Sequence, residues 1–270
     1  MQRLINYTPK RRNGLMLGLL PFALMLMLYL FGSELRLAEN PDDKLLPAFS
    51  QMGESMYRLA FEPSKRSGDY PFWGDTLSSL YRLGMGVLIA ASLGLAIGLL
   101  TGALPLVRAG FSPLLTVISL VPPLALLPIL FIVFGLCEIS KIALIAIGIT
   151  PFIARDIERR TREIPHEQIV KAQTLGANTS QVLIRVLLPQ IMPKLIDAVR
   201  LSLGAGWLFL IAAEAIASTD GLGYRIFLVR RYMSMDIILP YVAWITLLAF
   251  LFDLALGKLN DKLFPWHKEA

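Results

Sequence analysis

The side chains able to do chemistry are few, and most stand where charge is costly. Glu214 lies near the far end of an apolar run from about Leu195 to Ala217, and Arg200 lies near its start. An ionised group in such a run needs a partner, or water along a pathway. Glu214 is a candidate for the pathway or gate, and a structural ion pair or hydrogen bond is favoured for it over direct substrate contact, because a carboxylate repels an anionic solute. Pro122, Pro123 and Pro128, in the stretch VPPLALLP, interrupt another apolar run. Proline there frees backbone carbonyls, which is tolerated where the break packs on protein or lines a cavity. These three are candidates for a gate or pathway wall, with a kinked packing helix as the alternative. Arg225, Arg230 and Arg231 follow Gly221 and Gly223 between two apolar runs. They suit pairing with acids of the Gly32 to Asp75 region, an acidic partner, or an anion, the first two being favoured.

Other chemistries are excluded by what the chain contains. One cysteine, Cys137, permits no disulfide within the chain, and His166 and His267 are too far apart in sequence to suggest a metal centre. No Gly-x-x-x-x-Gly-Lys-Ser/Thr segment is present, and the nearest look-alike, Gly135 to Lys141, has the wrong spacing. No catalytic, cofactor or metal residue is therefore assigned. The net charge of +6 comes from bases scattered around apolar blocks, which is not a nucleic-acid footprint.

The elements that must position these groups are membrane spans. Apolar residues make up 55% of the chain and charged ones 17%, with a mean hydropathy of +0.60. Apolar runs at about Gly14 to Phe31, Leu80 to Leu104, Phe111 to Phe134, Lys141 to Ala154, Leu195 to Ala217 and Ile237 to Leu256 predict an all-α polytopic protein of about six transmembrane helices. The first run is read as a retained span, since it lacks a clear small-x-small cleavage site. Bases flank the runs on alternate sides. The bias puts both termini and the Arg155 to Lys194 interval in the cytoplasm. The acidic stretch before Asp75 then faces outward. In it Phe49, Met52, Met56 and Leu59 share a helical face, giving a helix on the membrane surface or a loosely packed loop. The parts are residues 1–75, holding the N-terminal tail, first span and outer loop; a core over 76–258 with a cytoplasmic loop at 155–194; and a tail over 259–270. Gly94, Gly98 and Gly102, spaced by four, mark a packing face in the second span.

Ile164 to Pro193 is a polar interval between these blocks, and it has its own local signals. Pro165 suits the first turn of a short helix, and Gly176 a left-handed cap that ends it. Asn178, Thr179 and Ser180 offer caps for a second helix, which is expected to run until Pro189 interferes. Two helices with a glycine elbow make a docking device.

Lys171-Ala172-Gln173, Gly176-Ala177 and Leu188-Pro189 resemble the "EAA" loop of ABC importer permeases, with Lys171 in place of the acidic residue and Gln173 in place of the second alanine. Leu45 to Pro47, TLSSLYRLGMG from Thr76, VPPLALLP, AAEAIASTDGLGY from Ala212 and the FPW at Phe264 are similar to the nitrate/sulfonate/taurine/bicarbonate branch of that family. The resemblance covers about Leu45 to Trp266. It implies a type I ABC importer permease fold in the cell (inner) membrane and uptake of a small oxyanion or sulfonate. The partners it implies are a second permease subunit, two ABC ATPase subunits that bind the ATP and magnesium, and a periplasmic or lipid-anchored binding protein. Pro165, Lys171, Ala172, Gln173, Gly176 and Ala177 would then couple to the ATPase. The rival reading is a secondary transporter or channel driven by an ion gradient. It predicts matching halves, and no internal repeat is evident.

Overall fold

The computed structural model describes residues 11–40, 43–64 and 68–267. Arg3, Lys10 and Lys268, which the topology reading uses, lie outside the described residues. Every regular element among those described is helical. They are α1 (Arg11–Glu39), α2 (Phe49–Phe61), α3 (Pro71–Ala103), α4 (Pro105–Leu120), a 3-10 turn (Pro123–Leu126), α5 (Leu127–Phe134), α6 (Glu138–Arg162) and α7 (His166–Thr174). After these come α8 (Thr179–Gln181), a π segment (Val182–Leu187), α9 (Leu188–Ala217), α10 (Leu222–Arg230), α11 (Met235–Leu263) and a last 3-10 turn (Pro265–His267).

The core is built on α3 and α6, which run parallel and pack along most of their length. Gly86, Ala90, Gly94, Gly98 and Gly102 recur every fourth residue on α3 and are all buried. A Cβ on Gly86 would lie 2.7 Å from Ile145, one on Gly94 2.6 Å from Ile153, and one on Gly98 2.5 Å from the carbonyl oxygen of Ala154. On Gly102 it would lie 2.5 Å from Thr161. Lipid supplies no hydrophobic drive between helices, so this contact rests on dispersion over a closely approached backbone. The packing face read from Gly94, Gly98 and Gly102 is present, about two turns longer at the Gly86 end than the triplet suggests. On the other side of α6 lies α9, where Phe209 rests on Gly148 and Gly206 admits Ile149. Ile145, Ile149, Ile153, Ile157, Leu210 and Ala213 are fully buried between these helices.

Four described helical runs are long and apolar enough to cross a membrane, within α1, α3, α8 to α9, and α11; α4 with α5 makes a fifth if a pair bent by 84° counts as one span. The sixth expected span is α6. At 25 residues it is shorter than α1, α3, α9 and α11, and Glu138, Lys141 and Arg155 leave it only a short charge-free stretch. Its ends are instead paired by neighbours, described below. The remaining helices surround the core. α2 packs on α3 and α11 through Met52 and Ala60, so the helix on the Phe49, Met52 and Met56 face is present and docked. α1 is exposed along nearly all its length. It is tied at its second half by the Tyr29 hydroxyl donating to the carbonyl of Pro47 (2.7 Å) and that of Ser33 donating to Leu46 (2.9 Å).

One expectation fails. Pro189 does not end the helix that Asn178 caps; a single helical run continues from Thr179 to Ala217. The segment before it is wound as a π-helix, with the Leu188 N–H donating to the carbonyl of Leu183. The wider turn removes the clash that a proline ring makes with the preceding α-helical turn.

The glycine ridge generates a direct comparison. Gly98→Val is expected to lower stability by several kcal/mol, because overpacking against backbone has no cheap relief. Gly84→Ala, on the same helix with nothing within 4 Å of its Cβ, is expected to be neutral or slightly stabilising. Thermal unfolding of the two variants in detergent, followed by circular dichroism, checks both.

Candidate functional site

The described polar groups gather at two ends of the bundle. At the end opposite α7, Arg82 of α3 is 1% exposed and Glu214 of α9 is 0% exposed. Arg82 Nη1 donates to Glu214 Oε1 at 2.7 Å and to the backbone carbonyl of Asp220 at 3.1 Å. Its Nη2 donates to Glu138 Oε1 at 2.9 Å, its Nε to the other oxygen of Glu138, and Nη2 also reaches the Asp220 carboxylate. Glu214 further accepts from the Ser79 hydroxyl (2.8 and 2.9 Å) and from the Gly223 N–H (2.8 Å), while Ser79 accepts from the Leu222 N–H (2.8 Å). Lys141 Nζ donates to Glu138 at 2.8 Å and to the Ser218 hydroxyl at 3.1 Å. The cluster joins α3, α6, α9 and the start of α10.

Local sequence explains the geometry. Gly221 has φ +110°, and a Cβ there would fall 2.5 Å from the Glu214 carboxyl. The chain therefore turns tightly enough for the first N–H groups of α10, which lack helical partners, to meet Asp75, Ser79 and Glu214. The Gly221 N–H donates to Asp75 Oδ1 at 3.0 Å, and Arg225 Nε donates to Asp75 Oδ2 at 2.7 Å. In the loop before α10, burial pushes the Asp220 carboxyl up, but hydrogen bonds from Ser78 and Arg82 outweigh it and hold the group below its ordinary value.

Of the three arginines after Gly223, Arg225 thus pairs with an acid of the Gly32 to Asp75 region, as the sequence reading favours. Arg230 lies over the Phe227 ring at 4.9 Å, and Arg231 begins the turn after α10. Glu214 finds the partner it requires, and Arg200 is held by Asp253 at 2.8 and 3.0 Å. Arg82 is the residue that sequence reasoning passes over. It sits near the start of a long helix, where an arginine reads as an interfacial anchor. Its fully buried partner is 132 positions away.

At the other end α7 projects with all its residues exposed or half-exposed, starting directly after Pro165. Gly176 adopts φ +83°, and the Asn178 side chain caps the next helix reciprocally with Gln181, at 2.9 Å in each direction. Lys171, Ala172, Gln173 and Ala177 cluster on this elbow, with Leu175 standing out at 88% exposure. Gln190 donates to Gln168 at 2.9 Å, holding α7 against the first turn of α9. The elbow therefore joins α6 to α9, the two helices that share the buried core. Pro122 and Pro123 mark the bend between α4 and α5, and Pro128 opens α5. No hydrogen bond joins these prolines to Glu214, and Pro123 instead packs near Gly148 in the middle of α6.

Helical spans with a welded polar end and an exposed elbow at the other end are the features of an integral membrane protein. A model of the family described as "Binding-protein-dependent transport system inner membrane component" matches residues 91–265. The chain is 37% identical over 202 residues to the taurine transport system permease protein TauC of Escherichia coli (strain K12), covering 75% of this chain and 74% of that one. It is 31% identical to the putative aliphatic sulfonates transport permease protein SsuC of Bacillus subtilis (strain 168), covering 77% and 75%. It is 32% identical to the bicarbonate transport system permease protein CmpB of Synechococcus elongatus, covering 72% and 67%. Among solved structures, a chain of the MetNI methionine ABC transporter in inward-facing form superposes with a TM-score of 0.64 at 21% identity, covering 74% of this chain and 98% of that one. The protein belongs to the binding-protein-dependent transport system inner membrane component family and is a transmembrane permease subunit of the ABC importer type.

A double-mutant cycle tests the polar cluster. Arg82→Met leaves Glu214 buried without its cation and is expected to cost about 3–5 kcal/mol of stability. Glu214→Gln in the Arg82→Met background is expected to recover part of that loss. A loss in the double variant equal to the sum of the losses of Arg82→Met and Glu214→Gln alone, in unfolding of the detergent-purified chain, would show that the pair is not coupled.

Proposed function

We propose that this chain is one of two permease subunits around a central pathway in the cell inner membrane, and that it passes a small sulfonate or other oxyanion inward. Two ABC ATPase subunits hold the ATP and magnesium, and a binding protein outside delivers the solute. Both termini and α7 lie in the cytoplasm on this reading, and α2 and α10 lie outside. The observation that carries it is the exposed elbow of α7 and Gly176, linked directly to α6 and α9. The taurine, sulfonate and bicarbonate systems of its relatives support the solute class. Pro122, Pro123 and Pro128 form the flexible wall of the pathway. Glu214 acts on the pathway only indirectly, by holding its outer end together. Arg230 and Arg231 are left to meet an acidic surface of the binding protein.

Closure of the ATPases pushes α7, and the push reaches α6 and α9 because Gly176 fixes the elbow angle. Valine at φ +83° costs about 1–2 kcal/mol in that conformation and moves the elbow instead. Gly176→Val is therefore expected to reduce uptake of labelled taurine, an alkanesulfonate or bicarbonate by tenfold or more in vesicles holding the whole complex. ATP hydrolysis should persist but no longer respond to solute. Undiminished uptake would remove the elbow from the mechanism. Uptake that needs no ATP and collapses with a proton ionophore would replace the importer with a gradient-driven carrier. ATP-driven uptake of a neutral solute alone would overturn the oxyanion assignment.

A further inference from the structure

α4 and α6 lie antiparallel, with Ser112 beside Glu158, Ser119 beside Arg155 and Pro123 beside Gly148. Two hollows follow this seam. The lower one, of about 510 Å³ at the α7 end, is walled in part by Ser112, Thr116, Arg155 and Glu158. The upper one, of about 220 Å³, is walled in part by Ser119, Val121, Pro123, Gly148 and Pro151. Phe152 lines both, and the hydrogen bond from Arg155 to the Ser119 hydroxyl (2.8 Å) crosses from one to the other. They are two stretches of one furrow, which leads from the α7 end to the proline bend.

Depth and chemistry together decide what can fill it. Gly148 stands ten residues from Glu138 and ten from Glu158, so about 15 Å of helix separates it from either charge. That is the middle of a hydrocarbon layer of about 30 Å. There Pro151 has no N–H for the carbonyl of Ile147 and Pro123 has none for that of Ser119, and Ile147 and Ser119 both line the upper hollow. Lower down, Glu158 is 7% exposed and forms no ion pair among the described residues. Its side chain accepts only from the Ser112 hydroxyl, at 3.0 and 3.3 Å. A carboxylate has about four acceptor sites, and acyl chains satisfy none of them. The other α4 hydroxyls donate within their own helix, Thr116 to the carbonyl of Ser112 (2.9 Å) and Ser119 to that of Thr116 (2.8 Å). The wall is therefore a mixture of guanidinium, carboxylate and under-supplied acceptors, which matches no single ligand and is met by water. Leu114, Val117 and Leu120 interleave with these residues on α4, line neither hollow and are exposed. A helix surrounded by lipid needs no such division into a polar and an apolar side.

We propose that the furrow is a water-filled half-channel, open at the α7 end and ending at the proline bend, through which the solute makes the α7 half of its passage. Phe152 and the Arg155 to Ser119 bond stand between its two stretches, so a solute leaving the bend passes them before it reaches Glu158. The solute's route rests on the importer reading; the water does not.

The test uses the full chain in nanodiscs, with Cys137→Ser as background and single cysteines introduced by T116C, S119C and V121C in the furrow and by L114C, V117C and L120C at matching depth outside it. A charged, membrane-impermeant methanethiosulfonate reacts with the thiolate, which forms in water and not among acyl chains. The three furrow positions are expected to react about tenfold or more faster than their neighbours. Equal rates in the two sets, or fast reaction at T116C alone, overturn the half-channel. A second arm treats the whole complex in vesicles with the same reagent and follows ATP-driven uptake of labelled taurine, an alkanesulfonate or bicarbonate. Modification of V121C is expected to abolish uptake and modification of L120C to leave it. Undiminished uptake after V121C is modified overturns the solute's route. Failure of the importer reading itself shows differently, as uptake that needs no ATP, and leaves the labelling rates in nanodiscs unchanged.

Discussion

The backbone contact between α3 and α6 is the constraint on which the rest of the molecule depends. It fixes register as well as distance. With Gly86 seated on Ile145, the helical repeat one turn earlier on α3 brings Arg82 opposite Glu138 and Lys141 at the start of α6. A side chain at any of the four glycines would push the helices apart and detach these charges from each other. The same contact explains how α6 sits at the centre despite being the least apolar of the long helices. Glu138 at its start is paired with Arg82 of α3, hydroxyls of Ser112 and Ser119 on α4 meet Glu158 and Arg155 near its other end, and its middle is covered on two sides.

The charge arrangement around Arg82 follows from where water can reach. One guanidinium meets three carboxylates, an excess of negative charge that a dry interior would not tolerate. Only Glu214 is fully buried, and it is satisfied by Arg82, Ser79 and a backbone N–H. Glu138 and Asp220 are half-exposed, at 49% and 47% of their side chains, so solvent carries part of their charge. Lys141 offsets Glu138 further. The start of α10 supplies the remaining donors, which is why the tight turn at Gly221 belongs to the cluster as much as any charged residue does.

Features set by neighbours in sequence are legible from it. Pro165, Gly176 and Asn178 announce the elbow because each acts within one turn of itself. The four-residue glycine spacing announces a packing face, though not which helix fills it. Glu214 announces its need for a partner, but the partner's identity depends on how α3 and α9 cross, which no local pattern encodes. Pro189 misleads for a related reason. A proline stops an α-helix, whereas a π turn just ahead of it accommodates the ring, and the winding of Val182–Leu187 is decided by packing of Val182 and Leu187 against the core. Likewise Pro122 and Pro123 mark a break, while the 84° angle comes from α5 resting on α6.

The two ends of the bundle differ in a way that bears on how force travels through it. At one end α3, α6, α9 and α10 are joined by buried ion pairs and backbone donors, which resist relative motion because any opening strands a charge. At the other end α7 is bound mainly by one side-chain hydrogen bond and a half-buried apolar edge, so moving it disturbs little of itself. A displacement delivered to α7 therefore passes into α6 and α9 together, whose far ends are locked to each other and to α3. In the proposed importer the three helices respond as one rigid body. Deformation is left to the element with the weakest internal hydrogen bonding, the α4 to α5 bend, where consecutive prolines have already removed the bonds that would resist it. In the proposed importer this confines the change of shape to the wall of the pathway and keeps it out of the core.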